Sequence, residues 1–335
     1  MKYSVLFAVS RDYYAKMFHP SDLDRIRQLC RIIAAPVPEK ADKRFLIDHV
    51  GDANIVISSW DTAAMDDEVM AVATKLQLLA HAGGSVKPVI SDTLWDRDVQ
   101  VTSAASAIAF GVAEFCLGLI LTATKRAFWG GIGARASQWR QGIECFGGPQ
   151  EIYQQKVGVI GASHVGRHLI RLLTNFHCHV LLYDPYCSAE QAAVMGAEKV
   201  KTLEELFSTC MVVSLNAPAT EQTQHMIRGK HFRLLQDGAL FINTARSAIV
   251  HEAEMIDQLR SERFVACLDV TDPEPPTINS PLRTLKNIWL TPHEAGAVAQ
   301  NLMRIGTFVA DEIEAFVEGK PQHYPVARQQ LTTIG

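Results

Sequence analysis

From residue 156 onward the chain alternates short apolar runs with helical patterns, and this rhythm limits its folding more than any other feature. Residues 157–160, 180–183, 211–215, 239–243, 265–270 and 288–290 are apolar on both faces, with helical spacing between them. Strands without a polar face belong in a parallel sheet that is covered by helices on each side. Six of them in series predict one doubly wound sheet. The first hundred residues repeat the rhythm less clearly, with runs at 5–9, 32–36, 55–58 and 78–82 and helical patterns beginning near Ser21 and Asp66.

Between the two series lies a run, 104–124, whose single charged residue is Glu114. As a membrane span it would bury a carboxylate near its centre at a cost of about 2.5–3.5 kcal/mol. It is also rich in Ala and Gly rather than Leu, so a helix buried between layers is expected. A looser stretch, 128–150, with Gly130-Gly131 and Gly147-Gly148-Pro149, leads into the second series, and a final helix over 297–318 stops at Gly319-Lys320-Pro321. The expected class is α/β, with two Rossmann-like domains of doubly wound parallel sheets and the active site in the cleft between them. Residues 1–102 and 297–335 form one domain and 103–296 the other, so the chain crosses between them twice.

Charge and cysteine content narrow the function classes. Lys and Arg number 32 against 36 Asp and Glu in 335 residues, so no cationic excess exists to hold a polyanion, and nucleic acid is not expected as a partner. The seven cysteines are an odd, scattered set with no CxxC pair, which argues against a disulfide framework and suits a reducing cytoplasm. The apolar start, 5–9, is too short for a leader and reads as a first strand; no membrane partner is expected. His177-Cys178-His179 has no further ligand at metal-site spacing, so no metal is expected. Trp60, Trp95, Trp129 and Trp139 are read as packing residues, and Asp66-Asp67-Glu68 as a helix start favoured by the helix dipole.

The first strand of the second series runs straight into Gly161-Ala162-Ser163-His164-Val165-Gly166 and then a helical pattern. The first glycine permits a tight turn and the last permits close packing of helix on strand, while the helix N-terminus offers N–H groups to a diphosphate. Ser163 replaces the middle glycine, and its hydroxyl could donate to a phosphate. The next strand ends at Asp184, placed to accept hydrogen bonds from an adenosine ribose and to repel a 2′-phosphate. NAD is therefore the expected cofactor, in preference to NADP.

Later strands end in polar groups that an α/β core does not need: Asn243-Thr244-Ala245-Arg246, Asp269 and then Glu274, and Thr291-Pro292-His293. In such sheets the ligand crevice lies beyond the carboxyl ends of the strands, where Arg246, Asp269, Glu274 and His293 can converge. An arginine, a carboxylate and a histidine around a nicotinamide suit hydride transfer to a 2-keto acid.

With these segments the chain resembles the D-isomer-specific 2-hydroxyacid dehydrogenases, from about Leu78 to Gly319. Further matches are Val112-Ala113-Glu114, the segment from Val212 to Pro218, the segment from Gly238 to Arg246, and Leu290 to His293 with Gly296. The resemblance implies that Arg246 binds the substrate carboxylate and carbonyl, that His293 is the general acid/base, and that Glu274 is its partner, orienting the ring and stabilising positive charge on it. For the cofactor it implies Gly161, Ser163, His164, Val165, Gly166, Asp184, Ala217, Pro218, Thr223, Thr244, Ala245, Arg246, Asp269, His293 and Gly296. Substrate would also meet the turn Gly83-Gly84-Ser85.

Several positions depart from the family pattern. Ser247 stands where glycine is common, Ala105-Ser106 and Ile108 stand where Pro-Gly and Asn are common, and Glu274 separates the chain from the formate dehydrogenases, which carry glutamine there. The resemblance implies a homodimer formed through the NAD domain, acting on a small 2-keto or 2-hydroxy acid. An NAD(H)-sensing binding protein of the corepressor type is the alternative, and no long disordered tail favours it.

Overall fold

The computed structural model describes residues 3–34, 39–140, 144–296 and 298–333. Within it the chain forms two compact units, Met1–Ile108 with Ala297–Gly335, and Ala109–Gly296. Every pair of strands in both is parallel.

The first unit carries β1 (Tyr3–Ala8), β2 (Cys30–Ile32), β3 (Ile55–Ser58), β4 (Leu78–His81) and β5 (Gln100–Ser103), in the order β2-β1-β3-β4-β5. Its sheet is apolar on both faces because alternate side chains enter different cores. Val5, Phe7, Ile55, Ile57 and Leu78 pack with Ile305, Val309 and Ile313 of the helix Ala299–Val317. Leu6, Ala8, Val56, Leu79 and Val101 pack with Leu46, Val69 and Leu94 on the other side.

The second unit carries β6 (Lys156–Ile160), β7 (His179–Tyr183), β8 (Glu198–Lys199), β9 (Val212–Leu215), β10 (Leu240–Asn243), β11 (Val265–Leu268) and β12 (Ile288–Leu290). Their order is β12-β11-β10-β9-β6-β7-β8, so the strand order reverses between β6 and β9. This is the doubly wound arrangement, with a ligand crevice expected at the reversal.

Several elements differ from the sequence reading. β5 and β8 were not anticipated; β8 has two residues, too few to show a period, and pairs only with β7. Instead of 32–36, β2 begins at Cys30, which closes the preceding helix Pro20–Leu29 with an extended backbone; residues 35 and 36 lie outside the described residues. The loose stretch expected from 128 holds the helix Ala127–Arg135 despite its glycine pair. Each glycine costs a helix about 1 kcal/mol, and tertiary packing outweighs that. Trp129 is buried with its indole N–H donating to the Lys286 carbonyl at 2.7 Å, and Phe128 stacks on Trp289 at 4.2 Å.

Among the described residues one helix, Ala105–Thr124, is long and apolar enough to cross a membrane, and half of it is buried within the protein, as a core helix also is. All seven cysteines are free thiols. His81, the last residue of β4, is buried beside its cross-strand neighbour Ser58, with Nδ1 2.9 Å from the Ser58 hydroxyl. Burial pushes the imidazole down to about 4, against the opposing effect of the Ser85 backbone.

The folded-state value thus lies below the ordinary 6.5, so the unfolded chain takes up this proton first. The stability held by neutral His81 is complete above about pH 6.5 and is lost as the pH falls towards 4, roughly 3 kcal/mol in all. Denaturant unfolding across that window should show a steeper acid loss in the wild type than in His81→Asn. Equal slopes would mean that this ring is not buried neutral.

Candidate active site

One row of residues in register sets the frame of the site. Tyr183 of β7, Ile160 of β6, Leu215 of β9, Asn243 of β10, Leu268 of β11 and Leu290 of β12 are successive partners across the sheet. Each site segment that the sequence suggests in this unit begins directly after one of them. The row explains how residues far apart in sequence gather on one edge.

At the reversal point the backbones meet closely. Gly161 has φ +97°, and a methyl group there would lie 2.7 Å from both Cα and N of Ala217 after β9. A methyl on Gly166 would lie 2.0 Å from the Gly161 carbonyl oxygen, so the helix His164–Leu173 can enter only over a glycine. These two positions form a backbone cradle at a helix N-terminus that suits a diphosphate. His164 is exposed and Val165 half-buried beside it.

Ser163 is engaged differently from the expectation of a phosphate donor. It caps the helix, accepting from Gly166 N–H at 3.3 Å, and donates its proton to the Asn216 carbonyl at 2.7 Å. The serine therefore ties the turn to the end of β9. Asp184 is half-buried and also faces the turn, accepting from Ala162 N–H at 2.6 Å and Tyr186 N–H at 2.7 Å.

Beyond β9, Ala217 is buried, and Thr223 donates to the Pro218 carbonyl at 2.7 Å, closing the loop on itself. Beyond β10, the amide of Asn243 accepts from Ala245 N–H at 3.0 Å and donates to the Arg246 carbonyl at 3.1 Å. This clamp presents Arg246 outward: the side chain is exposed, one nitrogen donating to the Ala245 carbonyl at 2.7 Å. Thr244 is buried against Cys116, with Oγ1 and Sγ 3.0 Å apart.

Beyond β11, Asp269 is 2% exposed and accepts from the Thr291 hydroxyl at 2.6 Å and from the N–H groups of Glu294 and Ala295 at 3.0 Å each. It thereby grips both sides of His293, whose φ of +52° lies in the left-handed region that non-glycine residues avoid. Such a conformation costs about 1–3 kcal/mol and persists where its surroundings fix it. His293 Nδ1 lies 2.5 Å from Glu274 Oε1, and both side chains remain nearly half exposed. With Nδ1 held by Glu274, Nε2 is the ring nitrogen that remains for a further partner.

The loop that carries Glu274 is anchored in turn. Asp272 N–H donates to Glu252 at 2.9 Å, and the Arg283 guanidinium donates to the Pro276 carbonyl at 2.7 Å. Burial, partly offset by that bond from Asp272, holds the Glu252 carboxyl above its usual range.

Of the residues expected from sequence, His293 and Glu274 are in contact, Asp269 supports the backbone beside His293, and the Arg246 side chain donates to its neighbouring Ala245 carbonyl rather than to this pair. Gly296 is half-buried at the end of this unit. Gly83, Gly84 and Ser85 follow β4 in the other unit, where the Ser103 hydroxyl donates to the Gly84 carbonyl at 2.6 Å. Sequence reading placed Asn216 and Asn243 in matching segments without giving either a role, and did not single out Cys116 or Glu252. An asparagine closing an apolar run is the one signal that marked the first two. Among the described residues no group of three or more His, Cys, Asp or Glu is placed to hold a metal ion.

Known proteins supply the remaining context. Residues 117–295, more than half of the chain, match the NAD-binding domain of the D-isomer specific 2-hydroxyacid dehydrogenases. The chain is 28% identical over 302 residues to a D-3-phosphoglycerate dehydrogenase of Methanocaldococcus jannaschii, covering 90% of this chain and 57% of that protein. It therefore spans little more than half the length of that relative. A glyoxylate reductase of Korarchaeum cryptofilum is 27% identical over 282 residues, 83% of this chain and 84% of that one. In fold, the chain is similar to the apo form of Rhodotorula graminis D-mandelate dehydrogenase, with a TM-score of 0.85 at 22% identity over 98% of each chain. The glycine cradle fits the cofactor of the matched domain, which is NAD(H). The chain belongs to the D-isomer-specific 2-hydroxyacid dehydrogenase family.

Proposed function

We propose that the protein is an NAD-dependent D-2-hydroxyacid dehydrogenase, interconverting a small 2-keto acid and its 2-hydroxy acid. The observation that carries this reading is the Glu274–His293 pair at the carboxyl edge of an NAD-binding sheet. Bound NADH supplies the hydride that C2 of the keto acid takes up. His293 delivers the proton to the carbonyl oxygen from Nε2, and in the reverse direction it removes that proton from the alcohol. Glu274 holds Nδ1, fixing the ring and compensating its positive charge. Arg246 offers paired donors to the planar carboxylate and polarises the carbonyl oxygen as negative charge develops there.

The remaining assignments follow the same reading. Residues 103–296 act as the NAD domain, while 1–102 with 297–335 act as the substrate domain. In the latter, backbone N–H groups of residues 83–85 hold the substrate carboxylate. Asp184 receives the adenosine ribose. Seven free thiols suit a reducing compartment, the cytoplasm. A homodimer through the NAD domain would cover Ile132 and Trp139, which are 59% and 79% exposed.

A panel of 2-keto acids with NADH tests the reading. Turnover of at least one member is expected, and NADH binding without turnover on any would favour the sensing role instead. His293→Ala should lower kcat by about 10²–10⁴ while the Kd for NADH changes little, with Glu274→Gln losing less. Retained turnover in His293→Ala would remove the acid from this residue. Asp184→Ala should weaken NADH binding by roughly tenfold, about 1.4 kcal/mol, and narrow the preference over NADPH; an unchanged ratio of the two cofactors would count against the ribose contact. Light scattering should give about twice the 37.0 kDa chain mass, and a monomer at micromolar concentration would refute the dimer.

A further inference from the structure

The turn at residues 83–85 rests on a buried imidazole. His81 is 1% exposed, and its ring occupies the space that a side chain on Gly83 would need: a methyl there would lie 2.5 Å from Nε2 and 3.1 Å from both Cδ2 and Cε1. Glycine is thus required at 83 by the residue two places earlier. Nδ1 pairs with the Ser58 hydroxyl at 2.9 Å, whereas Nε2, equally buried under the turn, has no hydrogen-bond partner. From the other side, the Ser103 hydroxyl donates to the carbonyls of Gly84 at 2.6 Å and Gly83 at 3.3 Å, leaving the turn's N–H groups outside these bonds.

Buried side-chain nitrogens are nearly always paired, and one left without a partner calls for a reason. Filling the space under Gly83 does not explain it, since an apolar side chain would do so without stranding a polar atom. Holding Ser58 does not explain it either, because an asparagine amide reaches the position of Nδ1. What the imidazole adds is a second nitrogen beneath the turn, where an incipient hydrogen-bonding interaction with the Ser85 backbone opposes the effect of burial yet falls short of the geometry of a formed hydrogen bond.

We propose that His81 is a positioning residue for substrate: its Nε2 takes a partner from the main chain of the 83–85 turn when that turn closes on the substrate carboxylate. The inference rests on the dehydrogenase reading, in which this turn holds the carboxylate. Ser58 fixes the ring, the ring supports the turn, and the turn's N–H groups meet the acid. His81 itself touches neither substrate nor cofactor.

Two amides separate the roles of the two nitrogens. Asparagine can replace Nδ1 but falls short of Nε2, while glutamine reaches the position of Nε2. Steady-state kinetics with NADH and the best keto acid of the panel should show KM raised about tenfold in His81→Asn and within threefold of wild type in His81→Gln. In both variants kcat and the Kd for NADH should stay within threefold. Equal KM values in the two variants, or a loss confined to kcat or to thermal stability, would overturn the proposal. Should neither variant fold, Ser58→Ala, which releases the ring from its anchor, is expected to raise KM, and an unchanged KM would be decisive against it. A wild type that binds NADH yet reduces no keto acid overturns both this proposal and the parent reading; turnover with KM unmoved in His81→Asn overturns this one alone.

Discussion

The second unit depends on a contact between backbones. The Gly161 carbonyl sits so close to Gly166 that a methyl group there would lie 2.0 Å from the oxygen, and Gly161 in turn lies against Ala217. Three elements are joined at that point: the strand entering the turn, the helix leaving it, and the neighbouring strand across the reversal of the sheet. Any side chain at either glycine would push the helix off the sheet or the turn off β9. Since overpacking in a closed interior costs about 1–3 kcal/mol, the two glycines are a condition of the fold as well as of cofactor binding. Ser163 strengthens the same junction through the Asn216 carbonyl.

From that junction the register carries order across the sheet. Because Ile160, Leu215, Asn243, Leu268 and Leu290 are successive partners, the segments after them begin at a common level. The carboxyl edge follows from strand pairing, and its finer geometry from buried polar side chains. Asn243 shapes the segment before Arg246, and Asp269 the segment around His293. The unfavourable backbone of His293 is maintained by two N–H bonds to a buried carboxylate.

Much of this was legible because the responsible signals are local. Apolar runs of three to six residues mark buried strands, glycines mark close approach, and polar residues at the ends of such runs mark the crevice. What escaped has little local signal. β8 has two residues and borrows its conformation from β7, and the helix Ala127–Arg135 runs through three glycines because Trp129 packs and bonds to Lys286. Ser163 looked like a ligand group because its type and position suit a phosphate, yet the donor is taken by a carbonyl 53 positions away. Hydrogen bonds between distant segments leave no trace in a periodicity.

This distinction divides the site's polar residues into two kinds. Ser163, Thr223, Asn243 and Asp269 are each engaged with main-chain groups of the turns they shape, so each has an architectural part. Arg246 and His293 are different: the first is exposed and directs one bond to its neighbouring carbonyl, and the second is nearly half exposed with one nitrogen fixed by Glu274. Groups of the first kind resist substitution because a backbone segment moves with them. Groups of the second kind are costly to leave exposed only in conformational entropy, and gain their partners when a ligand arrives. On the dehydrogenase reading proposed above, an arginine and an imidazole of this second kind beside the glycine cradle are the groups that would serve hydride transfer with proton delivery.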